Sequence, residues 1–242
     1  MQAYVDAAHL AGGGVVDLPE GTIVAEVVMK HRVSLHGQGM NRTILTGRPG
    51  STTEAIITFA AGYVQNAFIR NLQVRGGGTD KQAGIVPNAR AAGPDRDGGW
   101  WEGGMENVVV SGLAGVSDCI RFDAEASTGN LLPHQFLNFK HVVCFRNNVP
   151  GSTALTITAG TQAGQMHWDS CQLDGLDTTN RTSTNGRILS GYSITFTNCT
   201  TQNALTGFEI GGVIGLSLVG GVLREPRTLC RRQGRRALSR AH

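Results

Sequence analysis

Three residues of this chain have the types that proton-transfer chemistry asks for: Lys140, His167 and Asp169. A histidine titrates near neutrality and acts as a general base, while an ammonium group offsets the charge of a carboxylate substrate. A carboxylate beside them shifts the pKa of either. Together they suit removal of the C5 proton of a uronate, with Asn138, Thr195 and Thr197 supplying neutral polar groups to substrate hydroxyls. The competing interpretation is an exposed cross-strand ion pair beside a solvated histidine, worth at most about 1 kcal/mol. A second set lies in the run Asp95-Arg96-Asp97-Gly98-Gly99-Trp100-Trp101-Glu102. Trp100 and Trp101, adjacent in a glycine-flanked loop, offer flat apolar faces with a polar N–H, suited to stacking on sugar rings. Asp97 and Glu102 could form the acid/base or nucleophile pair of a glycosidase, which needs carboxyl groups roughly 5–9.5 Å apart. Alternatively the tryptophans fold back onto Phe68, Val108 and Val110, which read as an outward apolar patch needing cover from a loop or a partner subunit.

Lys140 and Asp169 are 29 residues apart, so they meet only if the chain returns on itself at a regular period. A short strand recurs seven times, each copy reading apolar–x–apolar–x–turn. The turns fall at Gly37, Asn71, Ser111, His141, Ser170, Asn198 and Gly220. Two residues earlier stand Leu35, Ile69, Val109, Phe139, Trp168, Phe196 and Leu218, and four earlier Val33, Ala67, Asn107, Leu137, Met166, Ile194 and Leu216. Thirteen of these fourteen sites are apolar, where composition alone gives about six; alternation of this kind marks a strand with one buried face. The turn spacings are 34, 40, 30, 29, 28 and 22 residues; leucine-rich repeats have similar periods, but their fixed leucine–asparagine frame is missing, and no helical i, i+3, i+4 pattern is present. A second apolar run follows most turns: Gly84–Val86, Cys119–Phe122, Ala154–Ile157, Arg187–Leu189 and Gly207–Ile210. A parallel β-solenoid of about seven visible coils satisfies all of this. In that frame Lys140 lies over Asp169 and Asn138 over His167 at about 4.8 Å, on the outward face.

Composition agrees with a single solenoid domain. The chain has 242 residues, 34 of them glycine, and 40% hydrophobic content, enough for a sizeable core with many turns. Residues 2–11 read as an amphipathic helix that caps the first coil, without the basic flank of a signal peptide, and no apolar run approaches the about 18 residues that span a membrane. The expected divisions are 1–14 for the capping helix and glycine turn, 15–223 for the solenoid and 224–242 for an Arg-rich tail, disordered or foreign to the fold. Residues 1–222 carry a balance of −3 and residues 223–242 a balance of +6. That tail reads either as an arm for nucleic acid or acidic surfaces or as a short unrelated tail after a solenoid cut in mid-coil, and the second is favoured, so nucleic acid is not the expected partner. The five cysteines show no CxxC spacing; Cys171 and Cys199 follow their turns directly and should stack inward as small hydrophobes.

The segments AAHLAGGGVVDLPEGTIVAEVV and VSLHGQGMNRTILTG (Val33–Gly47) resemble the opening coils of the pectate lyase-like superfamily. That superfamily includes phage tail-spike proteins and polysaccharide lyases and hydrolases. The resemblance implies an all-β, right-handed parallel β-helix with an N-terminal capping α-helix. It also implies a polysaccharide partner, an extracellular or virion-associated location, and a homotrimer where the chain serves as a tail spike. The chain departs from the family in beginning inside the helix. It has no paired aspartates or Gly-His-Gly run like that of the polygalacturonase branch, and lacks the clustered calcium-binding aspartates of the pectate lyases. No catalytic residue therefore transfers. Calcium, which the resemblance brings in, finds no clear ligands, since Asp95-Arg96-Asp97-Gly98 is only a fragment of a calcium loop; no other cofactor or metal is implied.

Overall fold

A computed structural model describes residues 1–76, 83–89, 98–124, 134–145, 151–161, 163–175, 182–224 and 228–232. The chain is a right-handed parallel β-helix. Helix α1 (Gln2–Leu10) places Val5 in the core at the open end of the first coil, and every strand pairing recorded is parallel, between one coil and the next. Three sheets result. The first runs through Gly14–Asp17, Val33–His36 and the 68–70, 104–106, 135–140, 164–169, 192–197 and 214–219 segments. The second begins at Gly21–Val24 and Thr43–Thr46, and the third runs from Val27–Met29 to Thr228–Arg232. The described residues thus trace eight coils, about 34 Å of stacked strands. The coil beyond the seven sequence repeats is the first, 14–29, which precedes Gly37. The third sheet's ladder reaches Arg232, past Leu223 where the strand periodicity fades.

Side chains pointing into the solenoid stack in columns. The first sheet contributes Leu35, Ile69, Met105, Phe139, Trp168, Phe196 and Leu218, all in one register. Phe139 and Trp168 stack at 3.9 Å between ring centroids, and Trp168 and Phe196 at 5.7 Å. Each such aromatic pair is worth about 0.5–1.5 kcal/mol beyond the area it buries.

From the third coil onward the first sheet is bounded by two corners in left-handed backbone conformation, five residues apart. The leading corner holds Arg32, Asn66, Glu102, Phe136, Gln165, Ser193 and Gly215, with φ between 48° and 73°. The trailing corner holds Asn71, Asn107, His141, Ser170, Asn198 and Gly220, with φ between 50° and 61°, and Gly37 occupies the same place in the second coil.

This register corrects one repeat. The turn of the fourth coil is Asn107 and not Ser111, since Glu106 pairs with both Arg70 and Lys140. The spacings then become 34, 36, 34, 29, 28 and 22. The four-residue slip arose because Val108, Val109 and Val110 are all apolar, and a run of that kind carries no phase. With the corrected corner, Val108 and Val110 point into the core and are fully buried. The expected outward patch of Phe68, Val108 and Val110 therefore does not exist. Phe68 alone faces outward, and the Arg70 guanidinium lies 4.5 Å from its ring centroid.

Candidate functional site

Two outward columns run the length of the first sheet. One reads Ser34, Phe68, Gly104, Asn138, His167, Thr195 and Ser217; the other reads Asp17, His36, Arg70, Glu106, Lys140, Asp169, Thr197 and Val219. Asn138 lies opposite His167 and Lys140 opposite Asp169, in neighbouring coils. Thr195 and Thr197 continue the columns in the next coil, and His167 Nε2 lies 3.1 Å from Thr197 Oγ1. Asn138, Lys140 and His167 are exposed and Asp169 is half-buried.

The second column alternates in sign from Arg70 through Glu106 and Lys140 to Asp169. Arg70 and Glu106 form an ion pair at 3.6 Å, whereas no ion pair within 4.0 Å joins Lys140 to Asp169 among the described residues. Opposite charges in neighbouring strands favour this register and penalise a slip of one coil. His36 also belongs to this column, and its pKa is lowered by burial and then by Arg70.

The tryptophan pair divides. Trp101 lies on the outer surface, half-buried, between Tyr63 (ring centroids 5.3 Å apart, edge-on) and Phe136 (5.7 Å, tilted). Tyr63 and Phe136 remain 42% and 43% exposed, so three successive coils present one aromatic ladder along the solenoid axis. Glu102 follows at the leading corner, exposed, and its carboxylate accepts a hydrogen bond from Gln65 Nε2 at 2.6 Å. In the neighbouring coils Gln135 donates to the Tyr192 hydroxyl, and the Tyr192 ring covers Gly164. Polar groups therefore border the aromatic ladder on both sides. Phe136 is the unusual member: a bulky residue at φ 57° is a steric outlier, and such strain is retained where the side chain is needed in place.

Trp100 was expected on a sugar, and the structure puts it inside. It has no exposed surface and packs against Phe59, Phe122 and Phe139, with the indole N–H donating to the Ala67 carbonyl at 3.0 Å. The reason is room. The inward column that holds Leu137 and Met166 farther along carries Ala67 and Gly103 here, and a Cβ on Gly103 would lie 2.2 Å from the indole nitrogen. His134 fixes the strand end. Its Nδ1 accepts the Trp100 backbone N–H at 3.1 Å, so the proton sits on Nε2, which donates to the Asp123 carbonyl at 2.9 Å. Complete burial lowers its pKa to about 4, the Asp123 carbonyl only partly opposing this.

Asp97 lies outside the described residues, as do Asp95 and Arg96. Among the described residues no group of three or more His, Cys, Asp or Glu could hold a metal ion. The carboxylates of Glu54, Asp118 and Asp123 converge on the Arg121 guanidinium. No helix among the described residues is long and apolar enough to cross a membrane.

The site residues that sequence reasoning missed are Tyr63, Phe136, Gln65, Gln135 and Tyr192. Phe136 was detectable, because it is an aromatic out of phase with its inward neighbours Leu137 and Phe139.

No protein-family model matches this sequence, and no curated protein is similar to it in sequence. Solved structures do share its fold. A tailspike protein of the Acinetobacter baumannii bacteriophage Fri1, a capsular polysaccharide depolymerase, aligns at 13% identity over 90% of this chain and 45% of its own, with a TM-score of 0.54. A protein of Geobacillus virus E2 aligns at 13% identity over 91% of this chain and 53% of its own, also with a TM-score of 0.54. Pectin methylesterase of Erwinia chrysanthemi aligns at 11% identity over 96% of this chain and 88% of its own, with a TM-score of 0.48.

Proposed function

We propose that this chain binds an acidic or capsular polysaccharide along its first sheet and cleaves it by β-elimination, in an extracellular or virion-associated setting. The observation that carries the reading is the aromatic ladder of Tyr63, Trp101 and Phe136. Neighbouring rings lie 5.3 and 5.7 Å apart between centroids, and partly exposed aromatic surface with polar borders suits contact with sugar rings. In this proposal Lys140 holds a uronate carboxylate, and His167 takes the proton from C5. The electrons of that C–H bond form the C4–C5 double bond as the glycosidic oxygen leaves C4 with the electrons of the C4–O bond and takes a proton from water. Asn138, Thr195 and Thr197 hold hydroxyls, and Asp169 lies opposite Lys140 in the next coil. Glu102 borders the same surface; the glycosidase alternative pairs it with Asp97. The homotrimer that the tail-spike resemblance implies belongs to the same proposal.

A second reading, a binding module without turnover, is favoured by the alternating charges from Arg70 to Asp169, which give Lys140 and Asp169 a stacking role. One experiment separates the readings. The chain is incubated with a panel of acidic polysaccharides while unsaturated uronate absorbance and binding are followed. Cleavage predicts rising absorbance that His167→Ala abolishes without loss of binding, and about tenfold weaker binding in Trp101→Ala. Binding with flat absorbance and no new reducing ends selects the second reading, and new reducing ends alone select the glycosidase. Absence of binding to every member overturns the proposal, and a strictly monomeric species on sedimentation removes the trimer.

A further inference from the structure

Four cysteines of the described residues are free and buried, and they form two pairs. Cys119 and Cys144 are neighbours, and neither has any exposed surface. Cys171 and Cys199 form the other pair, but their surroundings differ. They follow the trailing corner directly in the sixth and seventh coils. Asp169 pairs with Thr197 before them and Gln172 with Thr200 after them, so the two cysteines are in register. The Thr200 N–H donates to the Cys171 carbonyl at 2.8 Å. Strand neighbours lie about 4.8 Å apart, inside the roughly 4.4–6.8 Å Cα separation that a disulfide spans.

In the eighth coil the same place is Gly221, which carries no side chain to cover Cys199; a Cβ there would lie 2.2 Å from the Cys199 carbonyl oxygen. A cleft of about 150 Å³ opens at this point, lined by Phe196, Cys199, Phe208 and Leu218. Cys199 keeps 8% exposure against 2% for Cys171. The neighbouring Cys171 thiol draws the Cys199 pKa down, while burial and the Asp169 carboxylate oppose. The neighbouring Cys199, and then burial, push the Cys171 thiol up. Only the thiolate attacks, so the reactive sulfur is the one the cleft reaches.

We propose that Cys171 and Cys199 form a dithiol oxidation site, Cys199 the entry nucleophile and Cys171 the resolving thiol, that closes as a disulfide between two coils. With a low-molecular-weight disulfide as oxidant, the Cys199 thiolate attacks one oxidant sulfur, forming a mixed disulfide and releasing one thiolate. That thiolate accepts the Cys171 proton. Cys171 sulfur then attacks Cys199 Sγ, the mixed disulfide breaks, and a second thiolate leaves. Two protein thiols are oxidised to one disulfide, and one oxidant disulfide is reduced to two thiols. The inference is independent of the carbohydrate reading.

The test uses the full chain with Cys230→Ser, so that four cysteines remain. Trypsin separates Cys171 from Cys199 at Arg181 and Arg187, and both from Cys119 and Cys144. On brief alkylation Cys199 should be labelled about tenfold or more faster than Cys119 or Cys144, which react only through local opening. Oxidised glutathione should remove two thiols, lower the intact mass by two hydrogens and join the Cys171 and Cys199 peptides. The oxidised protein should unfold at higher urea, reversibly on reduction, and Cys171→Ser should trap a glutathione adduct on Cys199. A persistent adduct on Cys199 in the parent, or labelling of Cys199 no faster than of Cys119, overturns the proposal.

Discussion

The two corners of the first sheet impose the same left-handed backbone and carry different side chains. The trailing corner holds Asn71, Asn107, His141, Ser170 and Asn198, mostly short polar residues that tolerate the conformation. They also bond to one another: Asn107 Nδ2 donates to Asn71 Oδ1 at 3.0 Å, and His141 Nδ1 lies 3.3 Å from Asn107 Oδ1. The leading corner holds Asn66, Ser193 and Gly215, but also Arg32, Glu102, Phe136 and Gln165 at similar φ, and the last four pay about 1–2 kcal/mol each for the left-handed state. Their side chains form no comparable ladder and face solvent beside Trp101. One corner is chosen for the backbone throughout and the other only in part, and its strained members Glu102 and Phe136 border the candidate sugar surface.

The largest test of this contrast concerns what supports the leading corner. Trp100→Ala should cost about 3–5 kcal/mol, because the emptied volume is enclosed by Phe59, Phe122 and Phe139, whereas Trp101→Ala should leave the urea midpoint nearly unchanged. Equal losses would dissolve the distinction between the two tryptophans. Next comes acid sensitivity. His134 is held neutral with a folded pKa of about 4, below the unfolded value of about 6.5. The unfolded chain therefore binds more protons between these values, and stability falls as pH drops through that window. The loss reaches about 3 kcal/mol below pH about 4 and is absent above about 6.5. In His134→Gln, whose amide can both accept from Trp100 N–H and donate to the Asp123 carbonyl, this component of the pH profile should flatten.

Smaller effects compare the corners themselves. Asn107→Ala should destabilise by about 1–2 kcal/mol, through the left-handed backbone and two lost side-chain contacts. Phe136→Asn should do the reverse, stabilising by about 1 kcal/mol while weakening polysaccharide binding. If Phe136→Asn destabilised the chain, the leading corner would be structural like its counterpart. Thermal or urea unfolding decides each case.

Most of the solenoid was legible because its signal is repeated. Leu35, Ile69, Phe139, Trp168 and Phe196 each announce one inward face, and six of seven turns fall where the backbone turns. The failure at Ser111 is local: Val108-Val109-Val110 reads equally well in either phase, and only pairing with Arg70 and Lys140 selects Asn107. That slip placed Val108 and Val110 outside. It also hid the small inward residue Gly103, the one sign that Trp100 had a pocket to enter. The register of Lys140 with Asp169 followed from the repeat alone. The aromatic ladder did not, because Tyr63, Trp101 and Phe136 lie at or just before the leading corner, outside the repeated apolar–x–apolar frame.

The constant five-residue interval between corners has a practical consequence. Coil lengths vary from 22 to 36 residues, yet the first sheet always advances by the same four positions. Its outer surface is in effect a printed grid, with one row per coil and two columns of addressable sites. Length differences are absorbed elsewhere in each turn, so a row can be rewritten without disturbing its neighbours, and a whole coil inserted at a trailing corner would add a row in frame. Changing which glycan such a surface reads is then a matter of editing cells, with the unit of length fixed by the peptide backbone itself.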